Sequence, residues 1–215
     1  MPSASDVDRP AEAAAVAQRY LRRERPLSGL VAALVVGVFL AAVLAWSLLP
    51  AVVVGAALVG AVRAPVLRPH GTVRVRCDDD PEMVRAAFMG ATPPVLGFQW
   101  GIADEIRAED DPVRYVTTYL FGLRTAEVAV ESHSEPTAAG GCRVGLDVAT
   151  NGRQWGSYAA TIREDGDETV VDVEYGSDRH FGLRRLPQQL LAHRYRDDLL
   201  EAQGYAVVGR DSHLR

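Results

Sequence analysis

Lysine is absent from this chain, and all 23 of its basic residues are arginine. A GC-rich genome, which favours arginine and alanine codons, is one explanation. Adaptation to high salt, in which a strongly acidic surface stays solvated, is another, and the sequence leaves both open. Residues 70–215 carry 16 arginines against 24 acidic residues, a net of −8. No nucleic acid is expected as a partner, because phosphate binding needs a surplus of cations on the contact face.

Cysteine is scarce, with Cys77 and Cys142 as the only two. Two cysteines are too few for a disulfide framework, and these two lack the spacing of metal ligands. The chain also has no glycine-rich phosphate loop, no Gly-x-Ser-x-Gly elbow and no His-Glu-x-x-His motif. We therefore expect no cofactor and no metal site, and the missing motifs favour a non-enzymatic protein.

Charge is missing altogether from residues 27–62, which Arg25 and Arg63 bracket. One helix over 36 residues would be roughly 54 Å long, whereas the hydrocarbon core of a bilayer is about 30 Å thick. Pro50 removes a backbone donor near the middle of the run and disfavours a helical residue before it. The run therefore predicts a transmembrane helical hairpin over 28–66, with helices at 28–49 and 51–66.

Arginines flank both ends of this hairpin, and the turn between the two helices has no charge. The positive-inside rule then places both termini in the cytoplasm, so we expect a cytoplasmic membrane protein with two spans. Residues 1–27 are interpreted as a flexible lead and a basic juxtamembrane helix, and 67–71 as a linker. Because no ionisable residue lies within the spans, we expect an anchor in the lipid bilayer and no transport site.

Residues 72–215 have the pattern of a soluble domain. Alternating residues predict seven strands, at 72–77, 102–109, 113–121, 124–133, 142–150, 154–163 and 168–176. Asn151-Gly152 and Asp165-Gly166 are turn signals typical of tight hairpins. Helices are predicted at 81–89 and at about 182–203, and the final residues have no clear assignment.

This order of elements resembles the helix-grip fold of the START-like and polyketide cyclase/dehydrase (SRPBCC) superfamily. The resemblance implies an α+β fold over 72–215, in which a seven-stranded curved antiparallel sheet grips the long C-terminal helix. It also implies a cavity between sheet and helix that takes lipids, polyketides, sterols or other apolar ligands. Core packing is the alternative role for each apolar residue of the ligand-binding set, which is Leu146, Tyr158, Val173, Tyr175, Leu186, Leu190 and His193.

Three functions follow from these patterns. The first is a membrane-anchored cytoplasmic domain that binds an apolar small molecule or lipid without catalysis. The second is a non-enzymatic scaffold or assembly factor with a membrane-protein partner, and the third is a cyclase-like or hydrolytic enzyme of the same fold. For the enzyme, His193 lies at helical spacing from Asp197, which could orient its ring for proton transfer, whereas a structural histidine is the alternative.

Overall fold

The computed structural model describes residues 7–45, 48–63, 65–67, 69–108, 111–119, 122–138, 140–177, 181–182 and 186–214. Within these ranges, 24 side chains lie outside the description, including those at 61–63, 186–190, 193 and 212–214.

Five α-helices and ten strands make up the described chain. The helices are α1 Ala11–Ala45, α2 Leu48–Arg63, α3 Pro81–Met89, α4 Gly97–Ile102 and α5 Leu186–Glu201, and a single 3₁₀ turn, Pro94–Leu96, precedes α4. The strands are β1 Pro65–Leu67, β2 Pro69–Cys77, β3 Glu105–Arg107, β4 Val113–Tyr119, β5 Arg124–Pro136, β6 Cys142–Thr150, β7 Arg153–Asp165, β8 Glu168–Gly176, β9 Phe181–Gly182 and β10 Ala206–Leu214.

A large antiparallel sheet with helices packed against it confirms the predicted α+β architecture. Its eight strands lie in the order β10-β2-β8-β7-β6-β5-β4-β3. The Asn151-Gly152 turn has positive φ at both residues, as the predicted two-residue hairpin requires. The prediction of seven strands is wrong by one, because the final residues pair with β2 as β10 and cover what would otherwise be an exposed edge.

One face of the sheet carries the hydrophobic core. Val73 and Val75 of β2 and Val171 and Val173 of β8 are buried there, since alternate residues of a strand share a face. Helices α3 and α5 cover this face and close the core around Trp100, which is fully buried and donates its indole N–H to the Pro93 carbonyl at 2.9 Å.

Helix α1 differs from the prediction. The juxtamembrane helix predicted within 1–27 and the first predicted span, 28–49, form one helix that runs unbroken through Pro26 from Ala11 to Ala45. Proline removes one backbone hydrogen bond, and the helix-forming residues on both sides together with the packing of the first turns offset that loss. Ala13, Val16 and Ala17 are buried against the domain, so the stretch interpreted as a basic juxtamembrane helix is helical but is also part of the folded core.

The break between the two apolar helices also lies elsewhere. Helix α2 begins at Leu48, and Pro50 sits in its first turn, where a missing N–H costs nothing because those donors have no intrahelical acceptor. The linker expected after the hairpin is instead structured, because β1 pairs with β9 and β2 starts at Pro69.

The hairpin itself exposes many apolar side chains. Among the described residues, no helix is both long enough and apolar enough to cross a membrane. Helices α1 and α2 nevertheless pack together, with the Phe39 ring against Gly55, and turn apolar side chains outward. Ten large residues are between 42% and 88% exposed: Leu30, Leu34, Val36, Val38, Leu40, Leu44, Leu49, Val52, Val53 and Val59.

The outer face of the sheet is polar and carries cross-strand ion pairs. Asp172 of β8 accepts hydrogen bonds from Arg74 of β2, at 2.5 Å, and from Arg163 of β7. Partial burial opposes ionisation, but these two bonds outweigh it and lower the pKa of Asp172. The carboxylate therefore ties three adjacent strands together.

We expect Asp172→Asn to lower the free energy of unfolding by about 1 kcal/mol at neutral pH, since the pairs are partly exposed. Because the folded-state pKa is depressed, this stabilisation is fully present above the ordinary aspartate pKa of about 3.9. The stabilisation is lost as the pH falls through the lower folded-state pKa. The free energies of unfolding of the wild type and of Asp172→Asn should therefore converge in acid. Urea titrations at several pH values check this, with Glu168→Gln, in a longer and more exposed pair, as control. A difference that persists in acid would contradict the assignment.

Candidate functional site

The candidate site is a small cleft between α5 and the core face of the sheet. Strands β2, β7 and β8 form its floor, α5 covers it, and the 3₁₀ turn with the start of α4 closes one side. Its volume is about 40 Å³. The described lining residues are Val73, Pro94, Val95, Phe98, Tyr158, Val173, Tyr175, Arg196, Leu199, Leu200 and Arg210.

Two tyrosines stand side by side in this cleft. Tyr158 of β7 and Tyr175 of β8 are direct cross-strand partners, so they project from the same face of the sheet. Their ring centroids are 6.3 Å apart, with an angle of 30° between the planes. Burial raises the pKa of Tyr158, and the nearby Arg196 guanidinium only partly opposes that effect. The Tyr158 hydroxyl is therefore neutral at physiological pH and can donate a hydrogen bond.

Two arginines bring positive charge to the same place. Arg196 of α5 lies over the Tyr175 ring, with its guanidinium carbon 5.4 Å from the ring centroid. Arg210 of β10 pairs with Val73 of β2 and therefore faces the core side of the sheet. Its Nη2 donates to Asp197 of α5, which fastens the edge strand to the helix.

An aromatic cluster joins α1 to one wall of the cleft. Tyr20 of α1 packs against Phe98, with ring centroids 4.7 Å apart, and meets the edge of Tyr195 at 6.0 Å. Leu199 lies so close to Gly97 that any side chain there would overlap its methyl groups. Glycine at this position therefore lets α5 approach the start of α4 and narrows the cleft.

The structure brings together three of the residues predicted to bind ligand, Tyr158, Val173 and Tyr175, on the floor of the cleft. Leu146 faces the same side but is buried in the core, outside the cleft lining. The side chains of Leu186, Leu190 and His193, also predicted, lie outside the described residues, although all three belong to α5.

Eight of the described lining residues were not in the predicted ligand-binding set: Val73, Pro94, Val95, Phe98, Arg196, Leu199, Leu200 and Arg210. A usable signal existed for Arg196, because it is three and four residues from the buried Leu199 and Leu200 and so shares their side of the helix. No comparable signal existed for Arg210, since the final residues had no predicted strand.

General acid–base chemistry has little support in this cleft. No carboxylate or histidine of the described residues lines it. Asp197, predicted to orient His193, accepts a hydrogen bond from Arg210, and the His193 side chain lies outside the described residues. Among all residues that the structure describes, no group of three His, Cys, Asp or Glu side chains could hold a metal ion. What remains is an apolar pocket with a few polar groups, an arrangement typical of small-molecule binding sites.

A second depression of about 320 Å³ lies on the outer face of the sheet, across β5 to β8. The His133 ring folds over Gly145, its direct neighbour on β6, and a side chain at that glycine would overlap the ring. Arg143 and Glu174 flank the depression and pair with each other at 3.4 Å. Glu135 and Asp147 also line it, so among its described lining residues the carboxylates outnumber the one arginine.

The chain matches no protein-family model and no curated protein. It is similar in structure to a START superfamily protein from Mycobacterium smegmatis, at 12% identity and a TM-score of 0.40, over 63% of this chain and 94% of that one. A protein from Rhizobium loti gives 16% identity, a TM-score of 0.39 and coverages of 63% and 95%. A conserved protein from Geobacillus kaustophilus gives 10% identity and a TM-score of 0.41, over 68% of this chain and 99% of that one. Identities this low transfer no activity to the chain.

Proposed function

We propose that this protein is a membrane-attached binding module that takes an apolar or lipid-like molecule into the cleft between α5 and the sheet, without catalysis. One observation carries the proposal. A single helix, α1, both packs on the cleft wall through Tyr20 and Phe98 and continues into the exposed apolar hairpin. The segment that would meet lipid is thus rigidly connected to the segment that would bind a ligand.

The hairpin supports the membrane part of this proposal. Soluble monomers rarely expose large apolar patches, and the two helices of the hairpin expose ten large Leu and Val side chains, which favours contact with lipid or protein. We place the hairpin in the bilayer and both termini on the cytoplasmic side, since Arg19, Arg22 and Arg23 precede it and Arg63 ends it. The pairing of β1 with β9 joins the base of the hairpin to the strand that precedes α5 in the chain.

The cleft supports the binding part. Its walls are aliphatic and aromatic, and its few polar groups are the tyrosine hydroxyls and arginines described above. At about 40 Å³, the described space holds roughly three water-sized groups, so it accommodates part of a ligand and not a whole lipid. An apolar chain would extend past Val95 and Phe98 toward α1.

Bound ligand can be measured directly on the full chain purified in phosphatidylcholine nanodiscs. We expect Val95→Trp, which fills the cleft, to reduce the co-purified apolar ligand at least about tenfold, because an added indole occupies the space a ligand needs. Val208→Trp is the matched control, since Val208 is 49% exposed on β10 and outside the cleft lining. Equal ligand content in the wild type and both variants would contradict binding in this cleft.

A further inference from the structure

The described lining of the cleft carries positive charge and no negative charge. Arg196 and Arg210 are the only charged residues among its described lining, and the remaining members are apolar or tyrosine. Asp197 contacts Arg210 through one terminal nitrogen but does not itself line the space. An apolar pocket with two guanidinium groups and no lining carboxylate is complementary to an anion that carries an apolar chain.

Arg210 is incompletely satisfied by the protein. Its side chain is 11% exposed, and its buried Nε has no hydrogen-bond partner in the described part of the chain. A buried donor on a charged group is normally satisfied, because desolvation without a partner is costly. The Asp197 pair explains how β10 is held on α5, but it leaves this second donor without an acceptor.

Arg196 supplies a second donor group. It has no carboxylate partner within the described residues, and its contact with the Tyr175 ring keeps the guanidinium at the cleft. A planar guanidinium suits bidentate recognition of a carboxylate or phosphate. The volume of about 40 Å³ is close to that of such a head group, and Val95 and Phe98 lie on the same wall for the chain that follows it.

We propose that the ligand is an anionic amphiphile whose head group binds between Arg196 and Arg210 while its apolar chain lies along Val95 and Phe98. This inference rests on the proposed function and adds the chemical class of the ligand. A carboxylate accepts from the free Nε of Arg210 and from Arg196, with the neutral Tyr158 hydroxyl as a further donor.

Three small probes test this assignment on the full chain in phosphatidylcholine nanodiscs, by titration calorimetry against empty nanodiscs. Octanoate has both the charge and the chain, octanol has only the chain, and acetate has only the charge. We expect octanoate to bind roughly ten- to hundredfold tighter than either of the others, the range for a charge-assisted hydrogen bond.

Arg196→Gln should weaken octanoate binding about tenfold and leave octanol binding unchanged, because it removes a charge and no apolar wall. Arg210→Lys keeps the charge and the pairing with Asp197, so its octanoate affinity should lie between those of Arg196→Gln and wild type. Arg107→Gln, on β3 outside the cleft lining, is the matched control and should bind octanoate like wild type.

The outcomes separate this inference from the proposed function. Octanol that binds as tightly as octanoate would overturn the anionic head group and leave an apolar site in place. Acetate that binds as tightly as octanoate would indicate a plain anion site and overturn both, as would a failure of all three probes to bind. Equal losses of octanoate affinity in Arg107→Gln and Arg196→Gln would show that the effect comes from the overall charge of the protein. That result would overturn the head-group assignment.

Discussion

A chain carrying Leu34→Asp, Leu40→Asp and Val53→Asp is expected to fall from the membrane-bound fraction to background in vesicle flotation. These three side chains are 53% to 63% exposed on the hairpin, so their replacement removes little packing within the protein. Each aspartate placed near the bilayer centre costs about 2.5–3.5 kcal/mol. Together they outweigh the apolar contacts that would hold the hairpin in lipid.

The domain provides a matched control for this experiment. Met83, Leu123 and Val208 are also large, apolar and exposed, at 63%, 84% and 49%, but they lie on the domain and not on the hairpin. Replacing all three by aspartate makes the same change of charge and should leave flotation at the wild-type level. A hairpin variant that floats like wild type would rule out membrane attachment through the hairpin. A control that also sinks would place part of the domain surface in the bilayer.

Local patterns in the sequence predicted most of the sheet. The bounds of β6 and β8 agree with the prediction, because both strands alternate regularly and each borders a turn with positive φ, after β6 at Asn151-Gly152 and before β8 at Gly166. Strand β10 escaped prediction because no local pattern marks it. It is stabilised by pairing with β2, whose residues lie 130 or more positions earlier in the chain than their partners, and only the folded structure brings these segments together.

The orientation of Arg210 shows why the cleft was harder to predict than the sheet. Val207 and Arg210 lie three residues apart, so in a regular strand they would face opposite sides. A register shift at Val208 places both opposite inward-facing residues, with Val207 against Val75 and Arg210 against Val73. One extra residue in the edge strand thus moves a charged side chain from the solvent face to the cleft.

The docking of α1 was beyond sequence reasoning for a related reason. Alanine-rich helices have similar sequences whether they are exposed or packed on a domain. The small residue that α1 packs against, Gly101, lies far along the chain. A β-carbon at Gly101 would come within 2.7 Å of the Ala17 β-carbon, so the two backbones approach more closely than larger residues allow. Helix α1 therefore connects the hairpin to the folded domain as a packed element and not as a tether.

Ala17→Asp should consequently lower the free energy of unfolding of the domain by about 3 kcal/mol or more. The Ala17 side chain has 0% exposure, and a carboxylate there would lose its hydration without gaining a partner. Ala15→Asp is the matched control, since Ala15 is the same residue type in the same helix but faces solvent. Urea unfolding followed by tryptophan fluorescence measures both.

If the two aspartates lower stability equally, α1 is not packed on the domain and the coupling proposed between hairpin and cleft has no structural basis. If only Ala17→Asp lowers the stability, vesicle flotation of that variant separates the role of α1 in membrane attachment from its role at the cleft wall. The hairpin remains covalently joined to the sheet through β1 and β2, so membrane attachment should persist. Octanoate affinity should fall, because Tyr20 would no longer hold Phe98 at the cleft wall.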